Sequence, residues 1–182
     1  MKRYAWAVTG LLCVAIAAGS GHLWRQYSLS SPVVEALSSD PRNESVSISV
    51  RYSTPLALAT IDFDLREVGS EAAALDVMRT LFVAAEVLSD RRLERVYLSF
   101  NGERRFYLEG RYFEELGRTY SYENPVILIR MLPEHVFELS GERAYQSWSG
   151  GWLGVMTRQM EDVNDFHDRW YREKLTSTYG GR

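Results

Sequence analysis

Arg95-Val-Tyr-Leu-Ser-Phe100, Asn101-Gly102 and Glu103-Arg-Arg-Phe-Tyr-Leu108 form the stretch on which the fold turns. Two runs rich in aromatic and β-branched residues flank Asn-Gly, the pair best suited to the positive φ angles of a tight hairpin turn. The register has two solutions. A strict two-residue loop sets Leu98 opposite Arg105 and puts a guanidinium on the apolar face. A three-residue loop, or a bulge, sets Leu98 opposite Phe106 and Val96 opposite Leu108. The second keeps one face apolar and is preferred, because a one-residue slip turns every side chain over.

Working outward, Val46, Ile48, Val50 and Tyr52 alternate with serines and Arg51, the pattern of a half-buried strand beginning near Ser45. Ser53-Thr-Pro55 turns the chain, and Leu56 to Leu65 reads as a second strand with a bulge near Ala59-Thr60. A helix is expected after Gly69, with Ser70 as its N-cap and Leu75, Met78, Leu81, Phe82, Ala85 and Leu88 as its apolar stripe. Beyond the hairpin, Gly110 to Leu116 suggests a short helix stopped by Gly117. Pro125-Val-Ile-Leu-Ile-Arg-Met-Leu132 reads as a central fifth strand. Gly151 to Leu175 reads as a long final helix that buries Met156, Met160, Val163, Phe166, His167 and Trp170. Ion pairs four residues apart, Asp165 to Arg169 and Asp168 to Arg172, lie on its wet side. The expected fold is α+β, a single domain with a mainly antiparallel sheet of about five strands and helices packed on one face.

The N-terminus has a different character. Lys2-Arg3 precedes an apolar run from Tyr4 to Gly19, interrupted by Thr9. Residues 1–24 read as a signal anchor or a cleaved signal peptide, that is, a transmembrane or signal helix. Trp6 and Trp24 are 18 residues apart, roughly 27 Å along a helix. That is close to the hydrocarbon thickness, with an aromatic at each edge, and it favours the anchor. Small residues at Ala15, Ala17 and Gly19 keep signal cleavage open. Both readings place the rest of the chain outside the cytoplasm, since the positive start stays inside. Residues 25–44 read as a linker from Ser28-Leu-Ser-Ser-Pro32 and Ser38-Ser-Asp-Pro-Arg-Asn43, with room for one helical turn between them at Val33 to Leu37. The domain then covers 45–175, and 176–182 is expected to be a disordered tail.

Composition narrows the function. The net charge is -3, and arginines such as Arg91, Arg92 and Arg95 are mixed with acids, so no basic stripe suits nucleic acid. The single cysteine, Cys13, lies in the apolar segment, so the domain has no disulfide and no cysteine-ligated metal. Three dispersed histidines make a metal site unexpected, and no sequence motif calls for a cofactor. His167 reads as a histidine at the edge of the helix stripe. Asp62 and Asp64 lie on the same side of a strand and could do acid–base work, but a strand with one wet face gives the same pattern. His135, beside Glu134 after the presumed central strand, is a candidate site residue. The segment Tyr145-Gln-Ser-Trp-Ser-Gly-Gly-Trp-Leu-Gly154 stands out most: Trp148 and Trp152 bracket Ser149-Gly150-Gly151, and exposed indoles there would suit a peptide, a sugar or a lipid interface.

The reading that follows is a membrane-anchored or exported envelope accessory protein, on the outer face of the cytoplasmic membrane, that binds another envelope protein without catalysis. Its alternative location is the periplasm after signal cleavage. The alternative function is an envelope hydrolase or carbohydrate-binding protein using the Trp148 to Trp152 loop with Glu134, His135 or the Asp62 and Asp64 pair.

Overall fold

The computed structural model describes residues 21, 23–54 and 59–175. The first strand, β1 (Val46–Tyr52), pairs antiparallel with β2 (Thr60–Val68). The chain then crosses through α2 (Ala74–Val87), numbered to follow an N-terminal helix α1 over residues 23–38, and enters β3 (Arg95–Phe100) parallel to β2. β3 and β4 (Glu103–Glu109) form the hairpin. Then come α3 (Gly110–Tyr120), α4 (Pro125–Met131), the short edge strand β5 (Val136–Glu138), and α5 (Trp152–His167). The sheet order is β1-β2-β3-β4-β5. The fold is α+β, and the sheet is mixed rather than purely antiparallel, because the α2 crossover makes β2 and β3 run the same way.

The hairpin resolves the register question. Asn101 and Gly102 both have positive φ, 50° and 83°, so the turn itself is a two-residue one. A bulge next to Leu98 then restores the apolar face, with Leu98 opposite Phe106 and Val96 opposite Leu108. Ile61, Phe63 and Leu65 of β2 continue that face, and it carries the core with Leu29, Val33, Leu81, Phe113 and Phe166 from the surrounding helices.

Several local expectations change. Residues 25–44 are not a linker: α1 runs over 23–38, with Leu29, Val33 and Leu37 buried at four-residue spacing. The serines hid this stripe, and Pro32 looked like a breaker. Pro32 has no N–H to give the Ser28 carbonyl, and Arg91 Nη2 supplies the missing donor at 3.0 Å. The apolar run after Asn124 is helix, not strand. Asn124 Oδ1 accepts from the Val126 N–H at 3.0 Å and Pro125 occupies the first turn, so the run starts with a helix cap. The fifth strand is Val136–Glu138 instead. Gly117 does not end α3 but lies inside it, where a Cβ would come within 2.1 Å of the Ala85 carbonyl oxygen of α2. α2 begins at Ala74, not near Ser70, because Asp76 accepts from the Ala73 N–H at 2.8 Å and caps the helix there.

The register shift between β1 and β2 falls at Ser47/Ile48 rather than near Ala59-Thr60. Leu56 and Leu58 lie outside the described residues, as do 1–20 and 176–182, on which the signal or anchor and the tail readings rest. No helix among the described residues is long and apolar enough to cross a membrane. The final helix ends in a wider turn at Asp168–Arg172. The extra residue in that turn lets Trp170 and Tyr171 both face the core after Phe166 and His167. Both expected ion pairs form, Asp165–Arg169 at 3.6 Å and Asp168–Arg172 at 3.0 Å.

Candidate functional site

The candidate residues fall around α5. In the connector from β5, Gly150 takes φ 130°, a conformation that favours glycine, and Gly151 precedes the helix in extended geometry. Trp148 is half-buried against the helix that follows. Its indole N–H donates to Asp162 Oδ2 at 2.7 Å, and the Arg158 guanidinium stands 4.6 Å from its ring centre. Trp152, the first residue of α5, is 70% exposed, and Leu153 beside it 62%. The two indoles therefore have separate roles, one bracing the connector and one presented outward.

Glu134 and His135 sit in the short 3-10 turn before β5. Gln159 Nε2 donates to Glu134 Oε1 at 2.6 Å, so Glu134 joins Trp148 on the middle of α5. His135 turns the other way and stacks on Tyr112 of α3, with ring centres 3.8 Å apart and planes 10° apart. Burial, helped by the nearby Arg143, holds its pKa below the ordinary histidine value. Burial also raises the Tyr112 hydroxyl pKa well above the usual tyrosine range. The stack is thus an apolar join between α3 and the approach to β5. Trp148 and Glu134 both bond to α5, but His135 and Trp152 do not join them in a cleft.

Asp62 and Asp64 are neutralised within the sheet. Arg104 holds Asp62 with both arms, Nε to Oδ1 at 2.6 Å and Nη2 to Oδ2 at 3.0 Å. Asp64, fully buried, accepts from the Gly102 N–H at 3.0 Å, with Arg66 at 2.8 Å and Arg51 at 3.8 Å on its other oxygen. Each carboxylate has a guanidinium partner, as a buried charge requires. His167, next to Phe166 in the last turn of α5, is also buried, and neither ring nitrogen meets a hydrogen-bond partner among the described residues.

One feature of the sheet's polar face was missed. Tyr97 and Tyr107 pair directly across β3 and β4, and Tyr107 stacks on Phe137 at 5.2 Å. Arg104 lies 3.8 Å from the Tyr97 ring centre, Arg95 4.3 Å from Tyr107 and Arg143 5.2 Å from Phe137. The register that places Leu98 opposite Phe106 already places Tyr97 opposite Tyr107, so this ladder was readable. A groove of about 960 Å³ opens at the other end of the sheet, between Ser45, Arg66, Val68, Asn101 and Tyr171. Another of about 630 Å³ lies beside Arg51, Asp62 and Arg104. Trp152 and His135 line neither.

Compared with known proteins, the chain matches no family model, no curated protein and no solved structure.

Proposed function

We propose that the chain is a membrane-tethered accessory protein whose α+β domain stands outside the cytoplasm and binds another envelope protein without catalysis. The observation that carries this reading is apolar exposure on one side of the fold. Val126 is 60%, Ile127 38% and Met131 40% exposed along α4. Met160 of α5, the helix that α4 packs against, is 40% exposed. A cluster of this kind on a folded domain suits a protein interface. The polar residues that could have served acid–base chemistry are engaged in internal pairs or stacks, which favours binding over hydrolysis. The tether rests on Lys2-Arg3 and the apolar run after it, which leads directly into α1.

Site-specific photo-crosslinking in cells tests the interface. A crosslinker at Ile127 should trap one discrete partner in the membrane fraction, and one at Glu123, a polar neighbour outside the apolar cluster, should trap much less. Equal, diffuse products from both positions would contradict the reading.

A further inference from the structure

Two apolar tips lie at the same end of the domain. Strand registers set Tyr52, Thr60, Arg95, Glu109 and Val136 at one end of the sheet. α1 starts there: Gln26 bonds to Val50 and Tyr52, and Leu23 and Trp24, 69% and 71% exposed, lie up to one turn further out.

α5 enters from the same end. Gln159 meets Glu134, next to the start of β5, and Trp170 reaches the Ser99 carbonyl near the far end of β3. Trp152 precedes Gln159 by two helical turns, so it stands about 10 Å beyond that contact. α1 lies by the β1 edge and α5 by β4 and β5, so strand spacing sets the tips on the order of 15–20 Å apart.

We infer that this end faces the bilayer and that Trp152 and Leu153 sit in the lipid interface as a second foothold beside the tether. The inference rests on the membrane-tether reading above. The apolar sequence of residues 4–20 ends where α1 begins, which puts the bilayer at this end and makes lipid the occupant rather than a further protein. Indole with an adjacent leucine suits the headgroup boundary, where one side of the ring is wet and the other apolar. Two footholds on opposite edges of the sheet would fix the domain's tilt and turn the α4 side sideways, parallel to the membrane plane.

The test uses the full chain and its Trp152→Phe variant in vesicles of phosphatidylethanolamine and phosphatidylglycerol, with and without brominated acyl chains. Subtracting the variant's emission from the parent's isolates Trp152 among the five tryptophans. The expected difference spectrum is blue-shifted, strongly quenched by brominated lipid and little affected by acrylamide. A red-shifted difference quenched by acrylamide alone would overturn the inference and leave the tether intact. Protection from both quenchers would also overturn it, because it would mean that protein covers the tip. Failure of the full chain to float with the vesicles would overturn the tether itself, and this inference with it.

Discussion

The Gln26 side chain acts as a missing strand for Tyr52. Its Oε1 accepts from the Tyr52 N–H at 3.1 Å while its Nε2 donates to the Val50 carbonyl at 2.7 Å, so one amide satisfies two groups on the free edge of β1. An open edge invites pairing with another chain. Gln26→Ala should cost about 1–2 kcal/mol in urea unfolding. It should also promote concentration-dependent association, read by light scattering. Unchanged stability and dispersity would show that the contact is incidental.

The same helix sets the folding unit. Leu29, Val33 and Leu37 are buried in the core, and each such side chain is worth about 1.5–3 kcal/mol on burial. A chain of residues 21–182 should unfold cooperatively. A chain of 45–182 should be destabilised by several kcal/mol, which is most of a typical domain's stability of roughly 5–15 kcal/mol. Circular dichroism melts of the two compare directly. Equal stability would mean that α1 is ornamental to the fold.

That correction shows what the sequence made legible. The hairpin register could be read because only one pairing keeps arginine off the apolar face. The ion pairs of α5 followed from spacing alone. α1 was missed because its stripe is three aliphatics wide among serines, and because the partner that rescues Pro32, Arg91, is 59 residues away in sequence and reaches it only in the fold. The run after Asn124 is ambiguous in sequence, because a short run apolar except for Arg130 fits a strand or a helix equally, and only the Asn-Pro cap decides for helix. At the candidate site, sequence identified Trp148 and Trp152 as a pair. Only tertiary contacts separate a braced indole from a free one.

The two tryptophans should therefore behave differently. Trp148→Ala removes a hydrogen bond to a carboxylate and a guanidinium contact, and should cost about 2 kcal/mol. Trp152→Ala, at an exposed site, should stay within about 0.5 kcal/mol of the parent. Urea midpoints of both variants in the 21–182 chain decide the matter, and strong destabilisation by Trp152→Ala would place that indole in the core.

His167 predicts an acid sensitivity. Burial, reinforced by nearby Arg172, lowers its folded pKa from 6.5 to about 4. The unfolded chain then binds a proton between those values that the folded one does not. Stability is full above pH 6.5 and falls as pH drops toward 4. Between pH 7 and pH 5 the loss from this group should be roughly 2 kcal/mol. His167→Leu should flatten that interval and, since it removes a buried ring whose nitrogens meet no hydrogen-bond partner among the described residues, should not weaken the domain at pH 7. Parallel pH slopes for parent and variant would show that the ring charges freely in the fold.

The central claim is that the domain stands outside the cytoplasm on a membrane tether. The most direct measurement is a reporter enzyme that works only after export, fused after Arg182 in the full chain. The expected result is an active reporter that stays with the membrane fraction. An inactive reporter on a stably expressed fusion would place the domain inside the cell and contradict it.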